Sequence, residues 1–218
     1  MISKNYKLVI FDWDGTLMDS IERIVSSMKS AALSVNVEAP STIAAKSIIG
    51  KSLDDGMKEL FPSHTPDVWH QIKLAYKEQY THLNDTPSQL FDHALQLLEK
   101  LTDNNKILAV ATGKGRDGLE RVWQATQTKH FFKASRCAIE CQSKPDPEML
   151  LQLLQELGVQ ASEAVMIGDT IHDLAMAENA GVDSIGVTYG VHTREELARY
   201  NPKAIVDSVI ELEKLLIS

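Results

Sequence analysis

The stretch Leu8-Val9-Ile10-Phe11-Asp12-Trp13-Asp14-Gly15-Thr16 decides the fold. Its opening apolar run has strand length and no polar alternation, which predicts a strand buried on both faces. Comparable runs follow at Ile107 to Ala111, Ala164 to Ile167, Ser184 to Val187 and Ala204 to Val206. Helical periodicity over Asp117 to Gln127, Pro147 to Leu157 and Leu174 to Ala180 lies between them. That alternation predicts an α/β fold with a doubly wound parallel sheet, because crossovers are right-handed and place helices on both faces.

The interval between Phe11 and Ile107 is too long for a simple crossover. It contains helical segments at about Ser20 to Leu33, Ser41 to Ile48, Leu53 to Leu60 and Asp67 to His82, broken by Pro40, Gly50 and Pro62. The reading is a helical insert that leaves the core after the first strand and returns near Asn84 to Pro87, before the amphipathic stretch Leu90 to Leu101. It divides the chain into a core of residues 1–17 and 84–218 and an inserted unit of residues 18–83.

A formal charge of -8 with no Lys/Arg cluster excludes a general nucleic-acid or membrane-surface binder, so an anionic substrate needs local positive charge. Met1 to Phe11 reads as neither signal peptide nor membrane span. Cys137 and Cys141 without an export signal make the cytoplasm the expected compartment and a structural disulfide unexpected. The histidines lack the spacing of a zinc site. Gly50-Lys51-Ser52 ends like a phosphate-binding loop but has Ala45 where its first glycine must stand. Trp13, Trp69 and Trp123 read as packing residues, and Gly113-Lys114-Gly115 as a helix entry.

Open α/β sheets bind ligands outside the carboxyl ends of their strands. The residues there are Asp12-Trp13-Asp14-Gly15-Thr16, Thr112-Gly113-Lys114 and Gly168-Asp169-Thr170-Ile171-His172-Asp173, with Ser143-Lys144-Pro145-Asp146-Pro147 before a helix. In order and spacing they resemble the four signature motifs of the haloacid dehalogenase superfamily: DxDGT, a hydroxyl residue closing a strand, a lysine before a helix, and GDxxxD. The tail from Gly181 to Leu216 resembles the phosphoglycolate phosphatase-like branch.

The resemblance implies a Rossmann-like core with a small helical cap at residues 18–83. It implies a phosphatase of small phosphorylated metabolites, phosphoglycolate among them, acting as monomer or homodimer. Asp12 would be the nucleophile and Asp14 the general acid and base. Asp12, Asp169 and the Asp14 carbonyl would hold Mg2+, with Asp173 a further ligand or support. Four carboxylates converging on one sheet edge would repel without such a hard cation. Thr112, Gly113 and Lys144 would bind the phosphoryl group, and Thr170 and His172 would support. Arg23, Gly50 and Lys51 would contact the leaving group from the cap.

This sequence departs from the relatives at Phe91-Asp92-His93, where a proline-glycine turn is common, and at Gly113, where many have asparagine. A phosphosugar mutase would use the same residues, and a catalytically silent binder of phosphorylated metabolites would keep the same fold.

Overall fold

The computed structural model describes residues 5–217. Met1 to Lys4, the start of the segment read above as neither signal nor span, lie outside them, as does Ser218. The chain enters β1 (Leu8–Phe11), forms β2 (Met18–Asp19) and then runs through α1 (Ile21–Ser34), α2 (Thr42–Ser47), α3 (Leu53–Leu60) and α4 (Pro66–Glu78). A π-helical turn, Gln79–Leu83, continues α4. The chain returns through β3 (Gln89–Leu90), antiparallel to β2, and α5 (Ala94–Asp103). Strands and helices then alternate: β4 (Ile107–Thr112), α6 (Arg116–Thr126), β5 (Phe132–Cys137), α7 (Glu148–Leu157), β6 (Ala164–Gly168), α8 (Ile171–Asn179), β7 (Asp183–Val187), α9 (Arg194–Ala198), β8 (Ala204–Val206) and α10 (Val209–Ile217).

The main sheet has six parallel strands in the order β5-β4-β1-β6-β7-β8. Its centre explains the opening apolar run. Leu8 and Ile10 pack with Ala109, Met149, Leu153 and Met166, whereas Val9 and Phe11 pack with Leu97, Leu101, Val110 and Leu119 on the opposite face. Helices cover both faces, so alternation would bury polar side chains. Strand order reverses about β1, and the carboxyl ends of β4, β1 and β6 meet there, where such sheets open a crevice.

Strand β5 was not foreseen. Its sequence, Phe-Lys-Ala-Ser-Arg-Cys, has no apolar run because an edge strand is paired on one side only and stays largely half-buried. Phe132 nevertheless anchors it, stacked on Trp123 with ring centroids 5.7 Å apart. Trp13 meets Trp123 edge-on and is fully buried, as a packing residue should be.

Helices α1 to α4 bury side chains among themselves. Met28, Ala31, Ile48, Met57, Phe61 and Ile72 form one cluster, and Ile21, Ile24, Ala45, Ile49 and Tyr80 a second. Their limits follow local chemistry. The Ser41 hydroxyl accepts from Ala44 N at the start of α2, the Ser52 hydroxyl from Asp55 N at the start of α3, and Pro66 occupies the first turn of α4. Among the described residues no helix is long and apolar enough to cross a membrane.

Candidate active site

Strand β1 delivers Asp12 to the crevice, and the chain then turns tightly. Gly15 has φ of +85°, and a Cβ there would lie 2.3 Å from Asp169 Oδ2, so the turn requires glycine for both conformation and space. From β6, Asp169 arrives beside Asp12, and Asp173 follows one turn into α8. Ligand oxygens of Asp12, Asp169 and Asp173 lie within 4.8 Å of one another, all three side chains buried.

Each carboxylate is held separately. Asp169 Oδ1 accepts the Thr16 hydroxyl at 2.9 Å, and Oδ2 accepts Val191 N–H at 2.9 Å. Asp173 Oδ2 accepts the hydroxyl and N–H of Thr170 in a capping box that starts α8. The Lys144 ammonium donates to Asp12 Oδ1 and Asp173 Oδ1, both at 2.6 Å, from a side chain with no exposure. Asp12 Oδ2 is buried and has no hydrogen-bond partner.

The electrostatics follow from this packing. Burial pushes the Asp12 carboxyl from 3.8 up to about 7; Lys144 opposes the shift, and Asp173 and Asp14 add to it. Burial, with Asp12 and Asp173 beside it, also holds Asp169 well above the ordinary carboxylate range. Burial works against the charge of Lys144, yet Asp12 and Asp173 override it and hold the ammonium above the usual lysine range. One ammonium stands in a cluster of three carboxylates, bonded to two of them. An all-oxygen donor set, crowded and buried, with an orphaned oxygen on Asp12, fits a hard divalent cation.

Asp14 lies beside this group, close enough to add to the Asp12 shift, and lines the same cavity as Asp12. It stands outside the cluster, its Oδ1 accepting the Ser20 hydroxyl at 2.6 Å and its Oδ2 lying 3.0 Å from Lys114 Nζ. With Trp13 buried between them, Asp12 turns to Lys144 and Asp14 to the cavity wall. Lys114 is the residue sequence reasoning missed. The turn that carries it does lead into α6 through Gly115, but the lysine reaches back across the crevice. Its place two residues beyond Thr112 was the available signal. Thr16, Ser20 and Val191 carried none.

A cavity of about 300 Å³ opens above Asp12 and Asp14, lined on the core side by Thr112, Gly113 and Lys114 and on the insert side by Gly50 and Lys51. The insert rests on the core here. Ser52 N–H donates to Ser143 Oγ at 2.9 Å, and a Cβ on Gly113 would lie 2.4 Å from the Lys51 carbonyl oxygen. Lys51 lines the cavity, with its ammonium on Glu59.

Arg23 is not among the lining residues. Its guanidinium donates to the carbonyls of Tyr80 at 3.0 Å and Thr86 at 3.2 Å, tying α1 to the segment that returns to the core. Arg23→Ala is therefore expected to cost about 1–3 kcal/mol of stability, the range for charge-assisted hydrogen bonds, measured by denaturant titration. Unchanged stability with a fall in activity would return Arg23 to the substrate.

The family model described as haloacid dehalogenase-like hydrolase matches residues 9–187. "Probable phosphatase IndB" of Dickeya dadantii is 33% identical over 211 residues, covering 94% of this chain and 91% of that protein. Phosphoglycolate phosphatase of Vibrio cholerae is 29% identical over 224 residues, 99% of each. The crystal structure of a predicted phosphoglycolate phosphatase from Haemophilus somnus superposes with a TM-score of 0.88 at 25% identity, covering 98% of this chain and 99% of that one.

Proposed function

This chain belongs to the haloacid dehalogenase-like hydrolase family, and from that premise we propose that it is a magnesium-dependent phosphatase of small phosphate monoesters. The observation that carries the reading is the buried set of Asp12, Asp169 and Asp173, with Lys144 on two of them and one Asp12 oxygen unpartnered. A scaffold that concentrates negative charge this way is suited to hold a cation and, through it, an anionic ester.

Asp12, Asp169, Asp173 and the Asp14 carbonyl would hold the magnesium. When bound, it would neutralise carboxylate charge and polarise the phosphoryl oxygens. The chain's own groups then divide the work. Asp12 attacks phosphorus, the bond from phosphorus to the ester oxygen breaks, and Asp14 protonates the departing oxygen. Water, deprotonated by Asp14, attacks the aspartyl phosphate and releases inorganic phosphate with Asp12 restored. Lys144 holds Asp12 in place and offers positive charge to the phosphoryl oxygens, while Thr112 and Gly113 N–H add donors.

Residues 18–83 would act as the cap that excludes water, Gly50 and Lys51 facing the leaving group. The relative that acts on phosphoglycolate places that ester in the substrate panel. We take the protein to work in the cytoplasm as a monomer or homodimer, its cysteines free thiols. The core residues would also serve a mutase. Hydrolysis of a panel of phosphate esters, with labelled phosphate trapped on Asp12, tests the reading; label on another residue would overturn it.

Removing the metal gives a second test. Magnesium at about one hundred times its dissociation constant is expected to raise stability by about 2.7 kcal/mol through mass action alone. Thermal denaturation with and without chelator measures this against potassium at matched ionic strength. Equal stability in both would sink the metal assignment.

A further inference from the structure

We propose that the cavity above Asp12 holds a second anion-binding site, formed by Arg121 of α6 with Lys77 and Thr81 of the insert, which takes a carboxylate or phosphate carried by the leaving group. The proposal rests on the phosphatase reading and adds its substrate class, an ester whose leaving group ends in an oxyanion farther from the phosphoryl group than the carboxylate of phosphoglycolate. The aliphatic residues of the insert offer little to recognise. Ile24, Met28, Ile48 and Ile49 line the cavity but are at most 7% exposed. Charge is what the walls present. Lys51, Lys77, Lys114, Arg116 and Arg121 line them, and beyond Asp12 and Asp14 the one acid among the described lining residues is Asp117, in a chain of net charge -8.

Three of these cations are already paired. The Lys114 ammonium lies 3.0 Å from Asp14, that of Lys51 is on Glu59, and Arg116 is held by Glu140 at 2.7 Å. Arg121 and Lys77 differ. Both are exposed, and among the described residues no carboxylate pairs with either, Asp117 one turn before Arg121 included. Arg121 is instead folded towards a like charge. A Cβ on Gly118 would lie 2.9 Å from Lys114 Cγ and 3.9 Å from Arg121 Nη2, so both side chains pass beside that glycine at the start of α6. Both also reach the Tyr80 ring, Lys114 Nζ at 5.0 Å and the Arg121 guanidinium at 6.0 Å from its centroid. Two cations gathered on the single carboxylate of Asp14 leave one positive charge facing the cavity, and a guanidinium fork suits an oxyanion. From the insert, Lys77 and Thr81 stand four residues apart in α4 and its π-helical continuation, both line the cavity, and the Thr81 hydroxyl makes no hydrogen bond among the described residues. Asp14 protonates the ester oxygen, so a carboxylate one methylene from that oxygen stays near Asp14. Arg121 lies beyond Lys114, and reaching it takes a longer chain.

The test measures kcat/KM, in the presence of magnesium, for phosphoglycolate, 4-(phosphonooxy)butanoate and 6-(phosphonooxy)hexanoate, each against its neutral amide. 1,6-Hexanediol bisphosphate, halved for its two equivalent esters, is measured against 6-hydroxyhexyl phosphate. The ratio of charged to neutral ester within one protein cancels any difference in the amount of folded enzyme and, for the longer chains, in leaving-group reactivity. It is expected to be largest for a longer chain, at roughly tenfold or more, the scale of a charge-assisted hydrogen bond. The larger of the hexanoate and bisphosphate ratios names the oxyanion as carboxylate or phosphate. Arg121→Gln is expected to bring the ratio down to about parity, mainly through KM, whereas Arg121→Lys should retain part of it and Lys77→Gln should reduce it. A ratio largest for phosphoglycolate, or near one for every longer chain, would overturn the second site while leaving the phosphatase intact. A ratio undiminished in Arg121→Gln would overturn the assignment to Arg121. Hydrolysis of none of these esters would overturn the phosphatase reading and this one with it.

Discussion

Asp12→Asn is expected to lower kcat by roughly 10⁴-fold or more on every ester, the scale seen when an enzyme loses its nucleophile. The amide keeps the shape of the side chain and its place at the end of β1, but it has no charge with which to attack phosphorus. Stability should respond in a different direction. Burial raises the Asp12 carboxyl from 3.8 to about 7, so in metal-free protein its ionisation opposes folding. The contribution of the protonated group is complete below 3.8 and is lost as pH rises through about 7. In Asp12→Asn this loss disappears, so melting temperature should fall less steeply across that window, and Asp169 should account for much of the slope that remains. An inactive variant as pH-sensitive as wild type would place the titration elsewhere, and residual turnover near wild type would reject Asp12 as nucleophile.

Lys144→Ala is expected to damage both folding and chemistry. The lysine is the ammonium that Asp12 and Asp173 share, and removing one partner of a buried ion pair typically costs about 3–5 kcal/mol because the other charge stays buried. Part of that cost should return when magnesium is added, since the cation supplies the missing positive charge. Catalysis should fall by a further 2 to 4 kcal/mol, roughly, in transition-state stabilisation, because a preorganised donor to the phosphoryl oxygens is lost. Denaturation midpoints with and without magnesium, together with kcat/KM on folded variant, separate the two effects. Unchanged stability in the metal-free variant would mean that the buried carboxylates are neutral without Lys144.

Much of this site could be read from the sequence because strand ends announce themselves. An apolar run followed by Asp12 or by Gly168-Asp169 fixes both where a strand stops and what it presents there. What could not be read depends on side chains meeting across the fold. Nothing near Lys114 in sequence indicates Asp14, and nothing near Arg23 indicates the carbonyls of Tyr80 and Thr86. The resemblance gave Asp12 and Asp14 different roles, but nothing in the sequence indicated that they meet different cations, Lys144 and Lys114. Strand β5 was hidden for the opposite reason, since an edge position asks for no apolar run. Tyr80 fell inside a helical pattern and gave no sign that its hydroxyl would be stranded.

Gly113, finally, sets how closely the insert can approach the core. A side chain at this position would act as a doorstop, because its first carbon would already collide with the carbonyl oxygens of Gly50 and Lys51. Its absence lets the insert sit against the core, and contacts such as Ser52 with Ser143 and His172 with the Ser47 carbonyl would latch it there. Acting as the proposed cap, residues 18–83 would have to release that latch to admit an ester and again to discharge an alcohol and phosphate. A larger residue at position 113 would exchange this tight seal for an easier exit, so the choice of residue there would set a balance between dryness and traffic.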